Sequence, residues 1–140
     1  MKITFFRAAD RATYANNVHV VITTRGRRKI LDPLAEALIE HFREVDNYGL
    51  DKIRGIAVAD DHVHLVVAIP PNRSITQVAH RLKSYSSSRL QRENPNIAIL
   101  LAGRGLWQRG YTCRNLGSIT IGDLKTYLQN QVGYDLPDYA

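Results

Sequence analysis

Two histidines separated by one residue are the strongest chemical signal in the sequence. In Asp61-His62-Val63-His64-Leu65-Val66-Val67 the apolar, β-branched composition specifies a strand. Strand side chains alternate, so His62 and His64 project from one face, roughly 6.6 Å apart. Val63, Leu65, Val67 and Ile69 take the opposite face, toward a core. Two imidazoles on one rigid strand can share a divalent ion if one or two oxygen ligands arrive from elsewhere. The plainer alternative is a pair of surface histidines, yet Val or Thr would make the better strand at both positions. A phosphoesterase built on two His-x-Ser/Thr motifs has no counterpart here. His19, His41 and His80 are followed two residues on by Val21, Arg43 and Leu82.

The second signal lies near the C-terminus, in Thr120-Ile121-Gly122-Asp123-Leu124-Lys125-Thr126-Tyr127-Leu128-Gln129-Asn130-Gln131-Val132. Tyr127 and Gln131 stand four residues apart, one helical turn along the same face. Both flank the apolar stripe of Ile121, Leu124, Leu128 and Val132. On helix geometry alone, Tyr127 reads as a boundary aromatic completing that stripe.

Charge is concentrated between these two features. The chain carries 19 Lys and Arg against 13 Asp and Glu, a net charge of +6. Residues 73–114 hold eight basic side chains (Arg73, Arg81, Lys83, Arg89, Arg92, Arg104, Arg109, Arg114) and one acid, Glu93, so the rest of the chain sums to −1. Either this is a solvated basic face or it meets a polyanion, most simply a nucleic acid. Arg outnumbers Lys 14 to 5, and the planar guanidinium fork suits phosphate. Arg25, Arg27 and Arg28 form a second basic cluster, which extends that surface or is a solvated turn.

The elements that must position these residues follow from local pattern. Val18–Thr24 is β-branched and reads as a first strand. Asp32-Pro33 predicts an N-cap followed by Pro at the first helical position, with Leu34, Leu38, Phe42 and Val45 carrying a helix to Asn47 and Gly49 just beyond. Leu50–Ala59 and His62–Ile69 form an antiparallel hairpin across Asp60-Asp61, and Pro70-Pro71 ends it. Ser74-Ile75-Thr76-Gln77 is a capping box opening a second helix through Leu90. Asn94–Leu106 reads as irregular, Trp107–Cys113 as a fourth strand, and the segment from Thr120 as a last helix. The fold class is α+β, a ferredoxin-like β-α-β-β-α-β antiparallel sheet with an added C-terminal helix. At 140 residues the default is one domain, residues 1–140, with its core at about 18–132.

Taken in order, these segments resemble the single-tyrosine HUH transposases of the IS200/IS605 insertion-sequence group. The matching stretches are a first strand ending in Thr-Thr-Arg-Gly-Arg-Arg, then Asp-His-Val-His-Leu-Val-Val, Pro-Pro-Asn-Arg-Ser-Ile, Leu-Lys-Ser-Tyr-Ser-Ser-Ser, Leu-Trp-Gln-Arg-Gly-Tyr and Tyr-Leu-Gln-Asn-Gln. The chain departs from the group's usual pattern at Thr112-Cys113-Arg114-Asn115 and in the lack of Trp or Phe in the first strand. The resemblance implies Tyr127 as the nucleophile and His62, His64 and Gln131 as ligands of Mg²⁺ or Mn²⁺. It implies a homodimer acting on single-stranded DNA hairpins, each active site completed in trans by the tyrosine helix of the other subunit. Asp61 is then a candidate to orient one histidine, or an exposed turn residue. Arg73, Arg81, Lys83 and Arg89 would hold phosphates. Tyr85 would stack on a base or pack in the core, and Trp107 fits the core better.

Three functions fit this reading: a DNA strand transferase, a domesticated relative acting on repeated extragenic palindromes, and a non-catalytic ferredoxin-like nucleic-acid-binding module. RNA-recognition modules place aromatics where His62 and His64 stand, and no Lys/Arg-Gly-Phe/Tyr segment is present. Cys113, the single cysteine, supports neither an internal disulfide nor a thiolate zinc cage. The apolar runs are too short to span a membrane and residues 1–17 lack a secretory apolar region, so the expectation is a cytoplasmic protein.

Overall fold

A computed structural model of the chain describes residues 2–5, 16–47, 52–69, 73–118 and 120–132. The elements are β1 (Lys2–Phe5), β2 (Asn17–Thr23), α1 (Ala35–Asn47), β3 (Lys52–Val58), β4 (His62–Ala68), α2 (Ile75–Glu93), α3 (Pro95–Leu101), β5 (Thr112–Gly117) and α4 (Ile121–Val132). The strands form one antiparallel sheet in the order β1-β3-β4-β2-β5. From β2 onward this is the ferredoxin-like arrangement. β1 extends the sheet beyond β3, a strand too short to register as a pattern.

The sheet has two apolar faces of unequal size. Val18, Val20, Ile22, Val63, Leu65 and Val67 join Leu38, Phe42, Leu82 and Leu90 of α1 and α2 in the main core. On the other face Val66 packs with Leu124 and Leu128 of α4, flanked by Phe5 and Leu116. Full burial of the two leucines stabilises α4 on the sheet by about 2–3 kcal/mol each, as an upper estimate. Gly55 permits this approach, since a Cβ there would lie 2.6 Å from Leu128 Cδ1. The side chains of Ile121 and Val132, expected in the stripe, lie outside the described residues, as do Gly49, Leu50, Pro70 and Pro71.

The capping box forms as read: Ser74 Oγ accepts from Gln77 N–H and Gln77 Oε1 from Ser74 N–H. Three local expectations need correction. Asp32 does not cap α1; it opens a 3₁₀ turn, and Asp60 Oδ1 accepts the Asp32 N–H at 3.0 Å. Asn94–Leu106 is not irregular throughout, because Pro95 stands at the first position of α3, where its missing N–H is not needed. Ala102, with φ 52°, ends that helix. The last strand is Thr112–Gly117 rather than Trp107–Cys113. Trp107 makes only a bridge to Thr24, and the chain turns at Gly110, φ 83°, before pairing with β2. No helix among the described residues is long and apolar enough to cross a membrane.

Candidate active site

Strand register decides which side chains meet. Thr23 pairs with His62, Val21 with His64 and His19 with Val66, while His19 also faces Arg114 on β5. Alternation then puts His62, His64, His19 and Arg114 on the face covered by α4. His62 and His64 are buried, their rings 5.0 Å apart between centroids.

Each of these two rings has one nitrogen engaged and one free. His62 Nδ1 lies 2.7 Å from Asp61 Oδ1. An ionised carboxylate only accepts, so His62 Nδ1–H donates, which in the neutral ring leaves the lone pair on Nε2. Burial pulls the Asp61 carboxyl up, but His62, by hydrogen bond and charge, and Arg27, 3.3 Å away, hold it below the usual carboxylate range. Asp61 thus touches His62 rather than His64. His64 Nδ1 lies 3.0 Å from His19 Nε2. Both Nε2 atoms are buried without a hydrogen-bond partner, a cost that a metal ion would remove. Among the described residues no three His, Cys, Asp or Glu side chains are arranged to hold a metal ion, so a further ligand would have to be another kind of oxygen. Gln131 lines the same cavity of about 140 Å³ as His19, Arg114 and Tyr127. Imidazole with amide oxygen fits Mg²⁺ or Mn²⁺.

Tyr127 is not only a boundary aromatic. Its hydroxyl lies 2.7 Å from His19 Nδ1, with the two rings at 86°. Burial pushes the phenol up, while the charge and hydrogen bonding of Arg114 pull the other way. The resemblance implied a tyrosine supplied in trans; in this structure the helix of the same chain carries it to the histidine face.

His19 begins no sequence motif, yet it joins the two halves of the site. Its signal was there to read: a polar ring in the middle of an apolar strand, NVHVVIT, on the same parity as a partner strand's histidines. Burial lowers its pKa to about 4, helped by Arg114. His64 falls to about 3 through burial, then the neighbouring His19 and His62. Both rings stay neutral in the fold while an unfolded imidazole protonates below about 6.5. The unfolded state therefore binds more protons as pH falls from about 6.5 toward 4, and stability drops through that window. Urea unfolding at pH 7 and pH 5 should differ by about 2–4 kcal/mol; equal midpoints would contradict buried, neutral histidines.

The basic residues expected to hold DNA are dispersed. Lys83 Nζ donates to Gln108 O at 2.9 Å and Gly110 O at 2.8 Å, so its ammonium fastens the turn before β5. Lys83→Met should lower the unfolding free energy by about 1–3 kcal/mol and leave the salt dependence of DNA affinity unchanged; a slope shallower by about one would return it to the phosphate contacts. Tyr85 donates to Glu44 and packs against the main core, and Arg89 lies 3.5 Å from the same carboxylate. Trp107 is a core residue, its Nε1–H on Ser86 Oγ at 2.9 Å. Arg25 donates to Gly105 O, Arg27 pairs with Asp61, and Arg28 is exposed. Arg73 precedes α2 and Arg81 lies within it, both half-buried. Arg104 and Arg109 line a cavity of about 690 Å³ between α2 and residues 103–111.

The family model for IS200-like transposases matches residues 12–131. The chain is 24% identical over 119 residues to the ISDra2 transposase TnpA of Deinococcus radiodurans, covering 84% of this chain and 85% of that one. It is 29% identical over 75 residues to the transposase for insertion sequence element IS200 of Salmonella typhimurium, covering 54% and 49%. A crystal structure of a candidate transposase from D. radiodurans R1 shares the fold with a TM-score of 0.68 at 24% identity, over 86% of this chain and 93% of that one. The fold is also that of a REP-associated tyrosine transposase bound to a REP hairpin, with a TM-score of 0.57 at 10% identity over 96% and 74%.

Proposed function

Because the chain belongs to the IS200-like transposase family, we propose that the face shared by His62, His64 and Tyr127 cleaves and rejoins single-stranded DNA at hairpin-marked element ends. The observation that carries this reading is the placement of the Tyr127 hydroxyl 2.7 Å from His19, itself 3.0 Å from His64. A nucleophile and a candidate metal face thus share one site. Tyr127 Oη would attack the phosphorus, forming a 5′-phosphotyrosine as the bond to the 3′ oxygen breaks. That linkage keeps the phosphodiester energy, so a second 3′-OH can reverse the step and join new ends. Tyr127 must lose its proton in the process; burial holds the phenol above its usual value, and the Arg114 guanidinium offsets part of that rise.

His62 and His64, with Gln131, would hold Mg²⁺ or Mn²⁺, which when bound polarises a phosphate oxygen and offsets charge on the departing one. Asp61 orients His62. Hairpin recognition is proposed on the family and on the hairpin-bound neighbour of the same fold. The reading includes a homodimer, in which the tyrosine helix of one subunit would serve the histidine face of the other as it serves its own here. The test is incubation with single-stranded hairpin DNA and Mg²⁺ or Mn²⁺, followed by a denaturing gel. A protein–DNA adduct supports the transferase. Binding without cleavage on any hairpin would make the chain a nucleic-acid-binding module.

A further inference from the structure

The His19 ring touches both halves of the site, and its two nitrogens cannot play the same role. His19 Nε2 and His64 Nδ1 face each other at 3.0 Å, and the rings are only 21° from parallel. Two ring nitrogens at that distance bond only if one carries hydrogen and the other a lone pair. The direction is set at the far side of His64. Its Nε2 is buried and unpartnered, and a metal ligand needs a lone pair there, which puts the single hydrogen of the neutral ring on Nδ1. His64 then donates, His19 Nε2 accepts, and the His19 hydrogen sits on Nδ1, pointing at Tyr127 Oη 2.7 Å away.

We propose that His19 is a positioning residue that links the tautomer of His64 to the orientation of Tyr127, accepting from His64 Nδ1–H and donating its own Nδ1–H to the tyrosine oxygen. The same bond that readies His64 Nε2 for a cation therefore holds the nucleophile oxygen over the histidine face. Having donated on that side, His19 offers no lone pair to the phenolic hydrogen, which turns instead toward the cavity shared with Arg114 and Gln131. His19 is thus a donor to the tyrosine oxygen rather than its base. The opposite direction would put hydrogen on His64 Nε2 and close that nitrogen to metal.

This assignment rests on the metal-site part of the functional reading, and the test separates the two. In protein carrying ¹⁵N-histidine, long-range ¹H–¹⁵N spectra should show both His19 and His64 as Nδ1–H tautomers without metal. Nε2–H on either ring overturns the proposal. His19→Phe should return His64 to the Nε2–H form and weaken Mn²⁺ binding, measured calorimetrically, by about 10–100-fold. His19→Gln places an amide oxygen near the position of Nε2 and should recover much of that affinity. An unchanged Mn²⁺ affinity in a folded His19→Phe would also overturn it, and should that variant not fold, the wild-type tautomers and the Gln variant decide. If wild-type protein forms no DNA adduct while the tautomers and Mn²⁺ affinities come out as expected, the transferase reading fails and the role of His19 stands.

Discussion

Tyr127→Phe should abolish the covalent protein–DNA adduct while leaving hairpin affinity and fold intact. The substitution removes one oxygen from a half-buried ring, and Leu124 and Leu128 still anchor the helix. His19 Nδ1 loses its partner, at a cost of about 1 kcal/mol to stability. The chemistry loses its nucleophile, because among the described tyrosines Tyr127 is the one whose hydroxyl reaches the histidine face. Among the described tyrosines, Tyr85 bonds Glu44 and Tyr111 bonds Thr76, and both pack against the main core rather than beside His19. A denaturing gel with end-labelled hairpin DNA reads the result. An adduct that persists would place the nucleophile on another of the seven tyrosines.

The double substitution His62→Ala/His64→Ala should lower cleavage by about 10³-fold, equivalent to several kcal/mol of lost charge stabilisation. Hairpin binding should persist, since both rings are buried and removed from the surface that would meet phosphates. The two positions contribute differently. His62→Ala leaves Asp61 paired with Arg27 3.3 Å away, so the turn keeps its shape. His64→Ala also removes the partner of His19 Nε2 and loosens Tyr127, so it should be the more damaging single change. Single-turnover cleavage with Mg²⁺ and with Mn²⁺, beside Mn²⁺ titration of each variant, separates lost metal from lost tyrosine placement. Undiminished cleavage in the double variant would remove the metal from the mechanism.

Much of the frame was legible because its signals are local. The capping box at Ser74, the hairpin turn at Asp60-Asp61 and the alternation through β4 each depend on residues within a few positions of one another. The errors share a cause as well. Pro95 looked like a break because a Pro inside a helix is destructive, while at the first position it starts one. Trp107 reads as strand by aromatic propensity, but its indole is buried against α2, bonded to Ser86. Lys83 counted as a phosphate ligand by charge alone; two carbonyls 25 and 27 residues away consume it.

Sequence alone determined that His62 and His64 share a face, because a strand repeats every two residues whatever surrounds it. It likewise determined that Tyr127 and Gln131 share one, because a helix repeats every 3.6. Only the tertiary structure decided that those two faces meet, and that His19 stands between them. That required the β2–β4 register pairing Val21 with His64, and a glycine at position 55 that lets α4 settle against the sheet. Such contacts span 45 to 108 residues. No local propensity specifies them; burial of Val66, Leu124 and Leu128 does.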